Sequence, residues 1–210
     1  MVAIIKGRII MDLNKIGLHI HEIRNQFTYI EGNVEILNQS LEKNNSVGTF
    51  MSLQSIFSSL MQVSRILWAP RKKGKARSEA IRKFLGIPEE HPLNNKDIQN
   101  LFDFCDEANE DWVKNTTGKH ILYDFIGDLG DSQHKDVEIE NIFRSFDTKG
   151  KIYVYRGVGF HMDAVMASLQ GVSEAVNKAH YHLFPDQWTD TEKKKSDKKP
   201  ILKKKEKKKK

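Results

Sequence analysis

Asp103, Asp106, Glu107 and Glu110 fall at intervals of three, one and three, which on a helix surface brings four carboxylates close enough to share a divalent cation. The same spacing describes a solvated acidic face. No second acidic or His-bearing segment pairs with it, so these four residues are metal candidates only, and no cofactor is expected. Cys105 sits inside the run with His91 and His120 at moderate separation, the raw material of a thiol nucleophile. It also falls on an apolar stripe with Leu101 and Phe102, where a buried thiol is inert because its ionised form is disfavoured. Burial is the simpler expectation. His19 and His21 are two apart, as are His180 and His182, and residues two apart diverge on a helix, so neither pair forms a metal clamp. His19 and Glu22 share a helix face but amount to two ligands. Gly157 and Gly159 follow a strand without the rest of a phosphate-loop fingerprint.

Arg71, Lys72, Lys73, Lys75 and Arg77 form the basic cluster of the body and are the candidate nucleic-acid contacts, because closely spaced cations hold phosphates by charge. The cluster has no aromatic on which a base could stack, so a solvated loop competes with that reading. The rest of the positive charge lies at the end of the chain. From Lys193 to Lys210 twelve lysines face Asp197 and Glu206, a balance of +10 within a chain of net +6, which leaves residues 1–192 at −4. The basic character therefore belongs to the tail, which offers a polyanion such as RNA, DNA or anionic lipid a partner without any shaped site. A single cysteine excludes an internal disulfide and suits a reducing, cytoplasmic setting. Neither a signal peptide nor a membrane span is expected: the apolar start, Met1 to Ile5, is broken by Lys6, Gly7 and Arg8.

The elements that must carry these groups are mainly helical. Ile9, Leu13, Ile16, Ile20, Ile23, Phe27, Ile30, Val34, Leu37 and Leu41 alternate spacings of four and three, predicting one long helix over 9–43. Asn44, Asn45 and Ser46 supply turn and cap chemistry. Phe50, Leu53, Ile56, Phe57, Leu60, Val63 and Leu67 then predict a second helix, packed antiparallel to the first and ended before Pro70. The first seam also suits a homodimer. Ser78 reads as the N-cap of a short helix to Leu85, and residues 86–92 as a connector. Asn94 or Asn95 caps a helix burying Ile98, Leu101, Phe102, Cys105 and Trp112 on one side. The stretch 119–130 reads as loop or short helix. A β-hairpin is expected near 139–156, where two apolar runs flank Asp147, Thr148, Lys149 and Gly150, with glycine supplying a positive φ. The last helix carries Val165, Leu169, Val172, Val176, Ala179 and Leu183 up to Pro185. The expected architecture is an antiparallel helical bundle over 1–190 with one hairpin before the last helix, followed by a disordered Lys-rich tail over 191–210.

Arg65, Ile66, Leu67, Trp68, Arg77, Ala80, Ile81, Arg82, Leu85, Pro92, Leu93, Asn100, Asp106 and Glu107 together resemble a group of uncharacterised bacterial helical proteins related in style to the HEPN superfamily. The resemblance spans about 65–113, and the hairpin and last helix more loosely. In HEPN ribonucleases an Arg and a His a few residues apart on one helix act on the RNA phosphodiester, often across a dimer. Asn100 keeps its place in that signature, but Gln99 stands for the Arg and Phe104 for the His. Gln supplies no cation to a developing phosphorane and Phe exchanges no proton, so the resemblance implies an inactive member. A literal Arg-x4-His string exists from Arg156 to His161, but Gly157 and Gly159 interrupt it and it reads as chance. The expected function is a non-catalytic helical interaction or scaffold protein, with RNA as the implied setting. The alternatives are a HEPN-like ribonuclease and a carboxylate-based metal-dependent hydrolase.

Overall fold

The seam that begins at Ile9 is shared between two kinds of element. The structure, a computed structural model, describes residues 2–5, 8–116 and 118–189. Ile9 lies in β2 (Arg8–Asp12), paired antiparallel with β1 (Val2–Ile5), and helix α1 runs from Leu13 to Glu42. From there the seam does what its spacing requires. Ile16, Ile20, Ile23, Phe27, Ile30 and Leu37 are buried, with Val34 and Leu41 packed half-buried against the same core. Asn45 caps α2 (Ser46–Leu67), its Oδ1 accepting from the Gly48 amide at 3.0 Å, and α2 buries its own apolar row from Phe50 to Leu67 in that core. Each fully buried Ile, Leu or Phe contributes about 1.5–3 kcal/mol. The buried seam residues of α1 and α2 pack against each other within the chain.

Helix α3 (Lys72–Leu85) starts at Lys72, so the basic cluster forms its first turns and Ser78 is an interior residue, not a cap. Gly86, at φ +70°, ends it in the left-handed conformation. The single helix expected after Asn95 is two: α4 (Lys96–Asn100), capped by Asn95, and α5 (Cys105–Asn115), with Phe104 at φ +44° between them. The break has a partner far along the chain. The Arg156 guanidinium donates to the Leu101 carbonyl and, at 3.3 Å, to Asn109 Oδ1, satisfying a carbonyl that a continuous helix would have bonded itself. Ile98 and Leu101 stay in the main core, whereas α5 turns Cys105 outward; the thiol expected to be buried is exposed.

The 119–130 stretch holds a strand, β3 (Leu122–Gly127), not a helix. The expected hairpin, β4 (Ile142–Asp147) with β5 (Ile152–Tyr155), is part of a larger mixed sheet of order β3-β4-β5-β6. In it β3 runs parallel to β4, and β6 (Val158–His161) antiparallel to β5. In the β4–β5 turn the positive φ belongs to Lys151, at +51°, and a Cβ at Gly150 would lie 2.6 Å from Asp147 Oδ2, so a larger residue there would displace the end of that side chain. Arg156 and Gly157, at φ +48° and +78°, make the two-residue β5–β6 turn. One sheet face sends Phe146, Tyr153 and Phe160 into the main core, with the Tyr153 and Phe160 rings tilted against Phe57 at 5.0 and 4.8 Å. Leu122, Ile142 and Val154 form a second, smaller cluster. Helix α6 (Met162–Leu183) buries Val165, Leu169, Val172, Val176 and Ala179. The described residues are thus mainly α-helical, with six α-helices beside a small four-stranded mixed sheet and the β1–β2 pair. None of these helices is long and apolar enough to cross a membrane. The Lys-rich 191–210 segment lies outside the described residues.

Candidate functional site

The last carbonyls of a helix have no partner within it. At the end of α2 four successive ones are met by side chains from α3 and α4. Arg77 Nη2 donates to the Arg65 carbonyl at 3.2 Å, Ser78 Oγ to Ile66 at 2.9 Å, Arg82 Nη1 to Leu67, and Gln99 Nε2 to Trp68 at 2.9 Å. Ser78 Oγ also accepts from the Ala69 amide at 3.0 Å, and Gln99 reaches Ser64 Oγ at 3.1 Å. Two guanidinium groups at the negative end of α2 complement its dipole as well as its carbonyls. Of the residues on which the expected HEPN-like resemblance over 65–113 rests, Arg65, Ile66, Leu67, Trp68, Arg77 and Arg82 belong to this knot. Gln99, standing where the signature has an Arg, is a buried clamp, and Phe104, standing where it has a His, is exposed and lies beyond the end of α4.

The knot divides the five candidate phosphate contacts. Arg77 is half-buried and committed to the Arg65 carbonyl. Arg71, Lys72, Lys73 and Lys75 are exposed, and no carboxylate among the described residues pairs with them. Lys75 also forms part of a groove of about 550 Å³ between α3 and the segment leading into α4, whose other walls include Trp68, Arg82, Glu89, Lys96 and Gln99. In that wall Arg82, 8% exposed, bridges to Glu89 as well as to Leu67. The His91 ring stacks on Trp68 at 5.2 Å, and burial lowers its pKa. Three buried N–H groups around the knot meet no acceptor on the protein: Arg65 Nε, Arg77 Nε and Trp68 Nε1.

The acidic quartet does not converge. Asp103 lies outside α5 and is paired with Arg65, while Asp106, Glu107 and Glu110 are exposed on α5. Among the described residues no group of three or more His, Cys, Asp or Glu side chains is arranged to hold a metal ion. Arg156 lies in the β5–β6 turn and is bonded toward α5, whereas His161 is at the far end of β6, exposed ahead of α6.

The histidine pairs are split, and one member of each meets the other. His21 Nδ1 and His180 Nε2 lie 3.0 Å apart, 159 positions apart in sequence, with their rings stacked. His180 is fully buried, and its Nδ1 accepts from Trp188 Nε1 at 2.8 Å. A nitrogen that accepts carries no proton, so the proton of a neutral His180 is on Nε2 and is donated to His21. This chain fastens the residues after Pro185 to α1 and α6, with Arg24 over the Trp188 ring at 4.7 Å. No sequence signal marks it, because neither spacing of two nor any motif joins the partners. His19 is held below the usual histidine range by burial and then by the Arg77 charge, against an opposing pull from Glu22.

No family model, no curated protein and no solved structure matches the chain.

Proposed function

We propose that the chain is a non-catalytic RNA-binding interaction module, and that its folded body contacts the phosphate backbone through the first turns of α3. The observation that carries this reading is the contrast within α3: Arg77 and Arg82 are bonded to carbonyls, whereas Arg71, Lys72, Lys73 and Lys75 stand exposed and unpaired in one short strip. Free cations on a helix that is otherwise anchored are what sequence-independent phosphate contact requires. A bilayer surface fits less well, since membrane-bound helices expose a broad apolar face beside their cations, whereas α3 buries Ala80 and Ile81 and leaves Phe84 exposed near its far end. The Lys-rich tail adds a diffuse charge that would help capture the same ligand.

The test uses the full-length chain with its twelve tail lysines replaced by glutamine, so that only the body carries the binding. Anisotropy of a labelled single-stranded RNA is measured across a salt series. Replacing Lys72, Lys73 and Lys75 by Glu should abolish measurable binding at physiological salt. Replacing them by Gln should lower the slope of log affinity against log salt by about 2, from three lost phosphate contacts. Affinity and slope both unchanged would sink the proposal.

A further inference from the structure

We infer that the groove beside α3 is a binding site for a phosphate group, seated by the Trp68 indole N–H together with the Lys75 and Lys96 ammonium groups. Four cations line it, Lys75, Arg82, Lys83 and Lys96, against two carboxylates, Glu79 and Glu89. The carboxylates are already matched: Lys83 pairs with Glu79 at 2.6 Å and Arg82 with Glu89. Lys75 and Lys96 are left without a carboxylate among the described residues. To these the wall adds Trp68, 4% exposed, whose Nε1–H finds no acceptor on the protein. Of the three unpartnered N–H groups around the knot, it alone belongs to a residue lining the groove.

An indole N–H and two ammonium groups donate and cannot accept. Their common ligand must therefore be an acceptor that carries negative charge. A carboxylate presents two oxygens in one plane; a phosphate presents three or four in a tetrahedron, which suits donors supplied by three segments, α3, the end of α2 and the start of α4. The remaining polar atoms of the wall are not competing for it, since Gln99 Nε2 is bonded to Ser64 and Trp68, and Ser78 Oγ to Ile66 and Ala69. At about 550 Å³ the groove has room for more than the phosphate alone. Lys75 belongs both to the groove and to the exposed strip, so a strand following the strip would bring its terminal phosphate there. That source rests on the RNA reading, whereas a phosphorylated small molecule would need the groove only.

The two other tryptophans make the experiment self-controlled. Trp112 Nε1 donates to the Glu140 carbonyl at 2.9 Å and Trp188 Nε1 to His180, so only the Trp68 indole proton is free to take a new acceptor. Inorganic phosphate is titrated into the ¹⁵N-labelled full-length protein while the three indole N–H resonances are followed, Trp68→Phe assigning the first. A saturable downfield shift of the Trp68 resonance alone, weakened at least tenfold by Lys75→Gln with Lys96→Gln, is expected. A Trp68 resonance that stays in place, or that moves equally in the double variant, overturns the site. The second arm compares 5′-phosphorylated with 5′-hydroxyl RNA of one sequence. At least fivefold tighter binding of the phosphorylated strand, lost in Lys96→Gln, identifies an RNA end as the source, and equal binding with the phosphate shift intact identifies a small molecule. A phosphate shift without any RNA binding removes the proposed function and leaves the groove; RNA binding without the shift does the reverse.

Discussion

The two halves of α3 carry the same kinds of side chain and spend them in opposite directions. Toward its start, Arg71, Lys72, Lys73 and Lys75 reach into solvent; over the next two turns Arg77, Ser78 and Arg82 reach inward to the last carbonyls of α2. What separates them is the position of a neighbouring helix end, which no local composition encodes. A positive charge over helix carbonyls is worth more than one over water, because the low-dielectric interior strengthens the bond and the helix dipole adds to it. Counting cations therefore overstates a binding surface wherever some of them cap a helix.

The sharpest way to break this comparison is to remove a cation from the inward half. Arg82→Ala deletes the partner of a buried carbonyl, the bridge to Glu89 and the packing of a long side chain near Trp68. A loss of about 2–4 kcal/mol is expected, read as a lower urea midpoint with unchanged slope. Ser78→Ala should follow at about 1–2 kcal/mol, since the hydroxyl both accepts from Ala69 and donates to Ile66. On the outward half, Lys72, Lys73 and Lys75 replaced by Glu should stay within about 0.5 kcal/mol of the parent, because acidic groups in a first helical turn are favourable. Equal losses from both halves would erase the distinction on which the proposed function stands.

Much of the helical frame was legible because periodicity is a local property: the seams of α1, α2 and α6 and the Asn45 and Asn95 caps follow from spacing and cap chemistry alone. The failures share one cause. The break between α4 and α5 is held by Arg156, β3 gains its ladder from β4, and the start of α3 precedes Ser78 because the serine is bonded to α2; each depends on a residue remote in sequence. Cys105 was misplaced by the same break, since its position on the stripe presumed a continuous helix. Of the candidate site, the cationic run was visible, but not the diversion of Arg77, nor the groove that Lys75 shares with Trp68 and Lys96. The His21–His180 contact left no trace in local spacing at all.

The smallest effect reads the inward half through its field. His19 on α1 is kept below its ordinary pKa by burial first and by the Arg77 charge second. A histidine depressed in the folded state binds its proton more readily when unfolded, so it contributes its full share of stability above the usual value of about 6.5 and loses it as pH falls toward the folded pKa. Stability by urea unfolding should therefore decline between about pH 7 and 5, before most carboxylates titrate. His19→Gln should flatten that decline without abolishing it, because burial depresses His91 in the same direction. Arg77→Gln should flatten it less, removing the second cause while the first persists. If His19→Gln tracks the parent at every pH, the histidine is not titrating out of a buried, cation-facing position. The inward placement of Arg77 would then lose its most direct electrostatic consequence.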